Sequence, residues 1–416
     1  MRWLALVPFC ILPSITAARV VSVSTFEALR VACATAMPGD TIDIASGIYT
    51  IADVSRIMIS DRPGPVLVRG TGIEPRHTII QGAGQDDPSV PMIFNLEDSP
   101  RWTFENLMTR NSYYHGFKFD RSSTDCSLRR IIMRDHGESG VKGTSDPVAG
   151  TYPDRLLVEY CDIGFTLESG GTRSVVEGID GVGVNDWVIR RSRFVNVQKG
   201  GAPAYAIFTK GNSSGTIIEG NRFENCFIAA SFGGGGTGAQ FFRDNDMTYE
   251  HRGGVIRNNV MIRCTDAGVY INKGTQAKIY NNTIFECGLT IQLRFVESSA
   301  WVRNNLVLVS PTNPSEPVLR VRDGATLLAD EKNVAADSSF FLVPYGIDRD
   351  IDAHLKPDAP VIDEGIDLPL DVPDDIDGGL RPVGRHADIG ADEFGSPPAS
   401  SVHGAALARR RTMDLR

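Results

Sequence analysis

Basic side chains recur at a fixed distance from asparagine residues in the second half of this 416-residue chain. Lys210, Arg294 and Arg322 each lie 11 positions before an asparagine, and Lys273 lies nine positions before one. Because the formal net charge is −9, a line of cations on the surface would provide a local attraction for a linear polyanion. An equally weighted alternative is that these side chains form only the solvated side of a strand.

The asparagines that mark this spacing belong to a repeated sequence pattern. Each copy has an apolar pair, an asparagine and a second apolar pair, and Asn259, Asn282 and Asn305 lie 23 positions apart. The β-branched and aromatic runs are too short for helices, whereas Gly and Asn supply the left-handed backbone conformations of tight corners. A unit of this size cannot bury its apolar face alone, so successive copies must stack on one another.

The pattern therefore predicts an all-β fold, a right-handed parallel β-helix solenoid in which each repeat makes one three-sided turn. Equivalent residues of successive turns would lie roughly 4.8 Å apart, close to the sugar repeat of a polyuronide at roughly 5 Å. A β-sandwich with scattered Asn-rich turns is the alternative, but it does not explain the fixed spacing. We expect the Asn pairs at 258/259, 281/282 and 304/305 to form a corner ladder. Cys226, Cys264 and Cys287 occupy the same position of their repeats. We expect them to form an inward column of free thiols.

Both ends of the chain differ from the repeats. Arg2, an apolar run over residues 3–15 and small residues at 16–18 predict a signal peptide over 1–18, and hence a secreted protein, extracellular or periplasmic. An amphipathic helix over 25–37 should cap the β-helix, which we predict over 19–345. A C-terminal capping segment is expected over 346–394 and a disordered basic tail over 395–416.

Composition and charge also limit the partners. The acidic balance argues against nucleic-acid binding, and no later segment predicts insertion into a membrane. We expect a monomer with an anionic polysaccharide as its partner. No cofactor is predicted with certainty, although the Asp-rich C-terminal segment leaves Ca²⁺ binding open without the ligand spacing of an EF-hand.

Two segments resemble secreted β-helix proteins of the pectate-lyase-like superfamily. The predicted helix followed by Pro-Gly-Asp-Thr-Ile (38–42) and Gly-Ile-Tyr (47–49) resembles the entry to alginate- and chondroitin-cleaving lyases. Lys-Gly-Asn-Ser (210–213) resembles the region that carries the catalytic lysine in that lyase family. The resemblance implies that Lys210 is the general base of a β-elimination next to a uronate, whose carboxylate must be neutralised. Residues 374–394 look like a C-terminal element of exported bacterial β-helix proteins.

The chain departs from these lyases where they place an arginine, because Ala-Ser-Phe-Gly (230–233) contains none. The missing cation could come from the longest insertion, residues 233–254, which should overhang Lys210, or from Arg294. Gly-Gly-Gly-Gly (233–236) within it is typical of a flexible loop. The predicted catalytic side chains are Lys210, Arg243, His251 and Arg294, and the predicted substrate-binding side chains are Lys142, Tyr205, Tyr270, Lys273 and Arg322.

Two other function classes stay open at this point. One is a non-catalytic glycan-binding or cell-surface β-helix protein, because the same fold serves both roles. The other is a β-helix glycoside hydrolase or epimerase. Asp180 and Asp186 do not supply the paired aspartates of the polygalacturonase pattern, and the Asp-Pro-His-Asp sequence of alginate epimerases is absent.

Overall fold

Three parallel sheets wind around one apolar core in a computed structural model that describes residues 18–51, 56–166, 173–199, 202–347 and 350–398. The chain passes through the sheets in turn, so that each circuit adds one strand to each sheet. This arrangement confirms the predicted right-handed parallel β-helix. The predicted signal peptide and tail lie almost entirely outside the described residues.

The strands of the twelve-stranded sheet are Val20–Val23, Thr41–Ile44, Val66–Gly70, Trp102–Glu105, Ser127–Arg129, Leu157–Glu159, Val188–Arg190, Ile217–Glu219, Val255–Arg257, Ala277–Tyr280, Ser299–Arg303 and Thr326–Glu331. Those of the eleven-stranded sheet are Gly47–Thr50, Thr78–Gln81, Met108–Arg110, Ile132–Arg134, Asp162–Gly164, Arg193–Val195, Arg222–Glu224, Val260–Ile262, Thr283–Phe285, Leu306–Leu308 and Val334–Ala335.

The strands of the ten-stranded sheet are Ile57–Ser60, Met92–Glu97, His115–Asp120, Ser139–Thr144, Val176–Val182, Ala204–Lys210, Ile228–Phe232, Ala267–Asn272, Leu289–Arg294 and Leu319–Arg322. A small three-stranded sheet contains Ser213–Ser214, His251–Arg252 and Gly274–Thr275, and an antiparallel pair joins Phe341–Val343 to Asp352–Leu355. Short 3₁₀ turns occupy Pro75–His77, Ala239–Phe241, Arg243–Asn245 and Ser338–Phe340.

The corner between the twelve- and eleven-stranded sheets carries the predicted asparagine ladder. The first residue of each pair is left-handed, with φ of 52° at Asn258 and 50° at Asn281. The second residue points inward: Asn259 donates to the Oδ1 of Asn282 from its main-chain N–H (3.1 Å) and from its Nδ2 (2.9 Å). Asn282 donates to Asn305 in the same way, at 3.0 and 2.9 Å. The inward side-chain amides of Asn259, Asn282 and Asn305 are thereby paired, as buried polar groups require.

The core repeats side chains from one circuit to the next. Phe94 stacks on Phe117 with ring centroids 4.9 Å apart, and Phe194 stacks on Phe223 at 5.0 Å. The cysteine column is confirmed, because its thiols are free, buried and inward-facing. Its members are Cys226, Cys264 and Cys287. Burial raises the pKa of Cys226 well above the usual range, and the hydrogen bond with Cys287, together with burial, raises that of Cys264.

An α-helix, Phe26–Thr35, covers the first circuit of the β-helix. It begins after Thr25, whose side-chain oxygen accepts the N–H of Ala28 at 3.1 Å. It packs beside the first strand of the ten-stranded sheet, and its buried face includes Leu29 and Cys33. The helix is shorter than the predicted 25–37 because the backbone is already extended at Ala36. No helix within the described ranges is both long and apolar enough to cross a membrane.

The C-terminal segment lies along the outside of the asparagine corner. Asn258 donates its side-chain N–H to the carbonyl of Asp374 (2.7 Å), and Asn281 donates to that of Asp388 (3.0 Å). Lys278 forms an ion pair with Asp371 at 2.6 Å. The left-handed corner residues therefore bind this segment, which covers one side of the solenoid and leaves the ten-stranded sheet on another.

Candidate functional site

The outer face of the ten-stranded sheet carries a group of charged and titratable side chains. Alternation along each strand sends Phe117, Val141 and Ile179 into the core and their successors outward. Pairing between strands places the outward residues in rows. The middle row contains Asn95, Lys118, Lys142, Asp180, Phe208, Ser231, Tyr270, Gln292 and Arg320.

Three lysines on successive parts of this face lie beside carboxylates. Lys142 forms a close ion pair with Asp180, and the Nζ of Lys210 lies 4.0 Å from the same Asp180 carboxylate. The Nζ of Lys118 lies 2.7 Å from Asp120. The Asp180 side chain is only 2% exposed and lies between two lysines, whereas the lysine side chains remain partly open to solvent.

Glu177 lies three residues before Asp180 on the same strand and is buried. Burial and the charge of Asp180 raise its pKa to about 8, although Lys142 and Lys210 act in the opposite direction. At neutral pH the Glu177 carboxyl therefore holds a proton beside the Asp180 carboxyl group. A buried carboxyl group with a strongly raised pKa is typical of acid–base sites.

Two further titratable side chains border this cluster. Burial raises the pKa of Glu138. His115 shares its row with Glu177, and burial, together with the charges of Lys142 and Lys118, lowers its pKa well below the usual range. Its Nδ1 lies 2.9 Å from the Oγ of Ser139, so the imidazole is neutral and oriented.

The predicted residues Lys142, Tyr205 and Lys210 are brought together at this cluster. The ring of Tyr205 stacks on Phe208 with centroids 4.4 Å apart, and the Nζ of Lys210 lies 4.3 Å from the centre of the Phe208 ring. The Tyr205 hydroxyl donates a 3.1 Å hydrogen bond to the carbonyl of Gly234 at the start of the insertion, and burial raises its pKa. The insertion therefore contacts the face, as predicted.

Arg294, Tyr270 and Arg322 lie on the same face but farther along the solenoid. Arg294 pairs in register with Asn272 and Arg322, and its Nε lies 2.6 Å from Asp323. Tyr270 is buried, and that burial raises its pKa while the nearby Arg294 lowers it. Tyr270 belongs to a small apolar cluster against which Tyr205 packs, whereas Arg294 and Arg322 lie on later strands of the sheet.

The prediction that Lys273 lies in line with Lys210 and Arg294 is wrong. The residue in that register is Asn272, and Lys273 follows at a left-handed corner with φ of 58°. Its Nζ lies 3.5 Å from Glu297 instead. Lys273 lies one residue beyond this register position, and the interval from Asn272 to Asn282 is one residue shorter than the interval from Arg294 to Asn305. Together these account for the two-residue difference in spacing.

The predictions for His251 and Arg243 also require correction, because contacts within the fold hold both side chains. His251 is fully buried inside the solenoid and stacks on Phe232 at 4.1 Å; burial lowers its pKa to about 3, so it stays neutral. Arg243 forms two hydrogen bonds to Asp154, at 2.7 and 3.0 Å, and lies 3.8 Å from the centre of the Tyr152 ring. His251 therefore packs in the core, and Arg243 links the insertion to the loop that contains Asp154.

The acidic members of the cluster were missed by sequence reasoning. Asp180 was considered only with Asp186, which lies at an exposed left-handed corner. The available signal was two acidic residues inside an otherwise apolar strand, Val176–Val182. Unequal loops before and after that strand concealed that it pairs with the strands of Lys142 and Lys210.

The Asp-rich C-terminal segment does not fit a calcium site. Asp375 accepts the N–H of Gly379 at 2.7 Å, and Asp392 accepts that of Leu355 at 2.8 Å, so these carboxylates are oriented toward the main chain. Across the described ranges, no group of three or more His, Cys, Asp or Glu side chains is arranged to hold a metal ion.

Several solved structures share this architecture. Pectate lyase Pel9A aligns over 91% of this chain and 97% of its own, with 15% identity and a TM-score of 0.53. An alginate lyase from Paenibacillus sp. str. FPU-7 aligns over 65% of this chain and 97% of its own, with 17% identity and a TM-score of 0.46. Endopolygalacturonase I from Stereum purpureum aligns over 74% and 99%, with 10% identity and a TM-score of 0.43.

At these identities the structural likeness concerns the fold alone. No curated protein matches the sequence. Residues 93–307, more than half of the chain, match the family model described as "Right handed beta helix region". The chain therefore belongs to the right-handed β-helix family.

Proposed function

We propose that this protein cleaves an acidic polysaccharide by β-elimination on the outer face of the ten-stranded sheet. The observation that carries the proposal is the cluster of Lys118, Lys142 and Lys210 on one face, with the protonated Glu177 beside them. Lys118 and Lys142 face each other on neighbouring strands, which are roughly 4.8 Å apart, and this spacing matches a polymer with a carboxylate on each sugar. Lys210 lies two strands farther along the face. A pectate lyase with the same fold is named for an acidic polysaccharide.

Each step of the elimination has a side chain in this cluster. The substrate carboxylate binds Lys142, which neutralises its charge and makes the proton on the adjacent carbon more acidic. Lys210 in its neutral form accepts that proton. The released electron pair forms a carbon–carbon double bond as the bond to the glycosidic oxygen breaks, and this oxygen takes the proton of Glu177.

Hydrolysis is the second candidate reaction, and the pairing of Glu177 with Asp180 favours it. A protonated carboxyl that donates to the leaving oxygen and an ionised carboxylate are the two groups that glycoside hydrolases use. In that reaction water is consumed, and the product carries no double bond. The lysines would then bind the substrate without taking part in proton transfer.

The products distinguish the two reactions. The purified protein should be incubated with polygalacturonate and with alginate while ultraviolet absorbance of the unsaturated product and new reducing ends are both followed. Elimination raises both signals in equal molar amounts, whereas hydrolysis raises only the reducing ends. Binding without either signal would overturn the enzymatic proposal and favour a non-catalytic glycan-binding protein.

We also propose that the protein is exported, because the charged, apolar and small residues at 1–18 follow the order of a signal peptide. Expression of the full chain with a C-terminal tag, followed by N-terminal sequencing of the exported product, tests this. A mature protein that retains residues 1–18 in the cytosol would contradict it.

A further inference from the structure

Residues 233–236, which we call the glycine wall, fold back onto the outer face of the ten-stranded sheet. After the strand Ile228–Phe232 the chain turns at Gly233, whose φ is 79°. Gly234 then lies against the Phe208 ring so closely that a β-carbon at this position would be 2.6 Å from it. The hydrogen bond from the Tyr205 hydroxyl to the Gly234 carbonyl, 3.1 Å long, fastens the wall there.

The wall covers the middle row of outward residues just beyond Lys210. Phe208 is 2% exposed and Ser231 is fully buried, although both point away from the core. The Oγ of Ser231 contacts the carbonyl of Gly233 and lies 2.8 Å from that of Tyr270. On the other side of the cluster, the described chain leaves the side chains of Lys118 and Lys142 27% and 21% exposed.

We propose that the glycine wall closes the binding face next to Lys210, so that the protein acts on the ends of acidic polysaccharide chains and not on their interior. This inference rests on the proposed function. A polymer that continued past Lys210 would have to occupy the space of Gly234, whereas a chain end can stop at the wall. From Lys118 to Lys210 the face spans three strand spacings, about 14 Å, which is on the order of three sugar units.

The wall also separates the cluster from the basic residues farther along the face. Asn272, whose side chain approaches Gly235, lies on its far side together with Arg294 and Arg322. A substrate end bound at Lys210 does not reach these arginines. The first products released should therefore be one or two sugars long.

Glycine is required at the contact with the aromatic ring. Gly233, Gly235 and Gly236 have positive φ values of 79°, 75° and 71°, and Gly234 has no room for a side chain against Phe208. Deletion of residues 234–236 removes the wall. Gly234→Ala displaces it from the ring, and Tyr205→Phe removes only its hydrogen bond.

Product size during the first few per cent of turnover tests the inference. The wild-type protein should release mono- or disaccharide from long polygalacturonate or alginate with little fall in viscosity. The deletion variant should produce intermediate oligosaccharides and a rapid fall in viscosity, with Gly234→Ala and Tyr205→Phe shifted in the same direction. Tyr249→Phe is the matched control, since Tyr249 belongs to the insertion but contacts Arg252, and its products should be those of the wild type.

A series of intermediate oligosaccharides from the wild-type protein would contradict the proposal that the glycine wall restricts action to chain ends. An unchanged product pattern in all three wall variants would contradict it as well. Binding stoichiometry on polymers of increasing length provides a readout that does not need turnover. One protein per chain at every length supports binding at ends, whereas a ratio that rises with length overturns it. Absence of both turnover and binding would reject the proposed function itself, and the inference with it.

Discussion

Two lines of polar side chains run along the axis of this solenoid, and they differ in how their hydrogen bonds and charges are satisfied. At the asparagine corner, neutral amides such as Asn282 pair with their own copies on the next circuit and are completely buried. On the face of the ten-stranded sheet, Lys142, Asp180 and Glu177 are charged or titratable, and each differs from its neighbour. Regular repetition therefore serves stability, whereas the break in repetition provides the candidate site.

The largest effect should come from Lys210→Ala. Loss of the proposed base should reduce turnover by about 10³- to 10⁴-fold. The unfolding free energy should change by less than about 1 kcal/mol, because Asp180 keeps its ion pair with Lys142. Turnover under saturating substrate and thermal unfolding are the two measurements.

The control for this variant is Lys332→Ala, which removes an exposed lysine that pairs with Glu364 away from the sheet face. It should leave turnover unchanged. Equal turnover in Lys210→Ala and the wild type would remove Lys210 from the mechanism and shift the balance toward hydrolysis by the carboxyl pair.

Glu177→Gln should have the next largest effect, a loss of about 10²- to 10³-fold, because an amide cannot deliver a proton to the leaving oxygen. Since the pKa of Glu177 is raised to about 8, wild-type activity should fall as pH rises through that value. The residual activity of the variant should lack this decline. A wild-type profile that stays level up to pH 9 would contradict the acid role.

The same residue affects stability with a definite sign. Folded Glu177 keeps its proton up to about pH 8, whereas the unfolded side chain loses it near its ordinary pKa of about 4.5. The folded state therefore binds more protons between these values, and its stability falls as pH rises across that window. Denaturant unfolding of the wild type and Glu177→Gln at pH 5 and pH 8 measures this, and the variant should be less sensitive to pH.

Asn282→Val should have the opposite effect, because it should lower the free energy of unfolding and leave turnover unchanged. The valine removes the Oδ1 that accepts the main-chain N–H and the Nδ2 of Asn259, and it removes the Nδ2 that donates to Asn305. A buried main-chain N–H without an acceptor costs on the order of 1–3 kcal/mol. Asn281→Val should destabilise for a different reason, since a β-branched residue would occupy a left-handed position with φ of 50°. Calorimetric unfolding combined with turnover of the remaining folded protein checks both. Lost turnover with unchanged unfolding would contradict the division between the two lines.

The smallest effect is expected for Arg322→Ala, with a change in KM of less than about twofold at low salt. Arg322 lies beyond the glycine wall, so a bound chain end does not reach it. Lys273→Ala is the matched variant, because Lys273 lies outside the row, and its KM should change equally little. A large, salt-sensitive rise in KM for Arg322→Ala alone would show that the substrate crosses the wall.

The fold could be predicted because each repeat contacts mainly its neighbours. A 23-residue period, an inward cysteine and an asparagine at each corner are local signals, and the structure confirms the ladder and the cysteine column from Cys226 to Cys287. The exact corner geometry was less accessible. Asn281 adopts the left-handed conformation while Asn282 builds the ladder, a distinction that requires the direction of each side chain.

Part of the candidate site could also be predicted. Lys142, Tyr205 and Lys210 do lie together, although they occupy different rows of the sheet. Both lysines lie beside Asp180, and Tyr205 stacks on Phe208 next to Lys210. The prediction for Lys273 was wrong because a shift of a single residue moves a side chain out of the row. The sequence did not show the position of His251, because a histidine in a short strand can equally face the core, as it does here against Phe232.

The solenoid, its asparagine corner and its apolar interior follow from the amino-acid sequence alone, because these depend on contacts between copies of one short pattern. Which charged side chains meet depends instead on how distant segments pack. Loops of unequal length set the register that brings Glu177 and Asp180 beside Lys142 and Lys210, and the pKa of Glu177 depends on that burial. The glycine wall likewise exists only through its contact with Phe208 on another circuit, which no local pattern encodes.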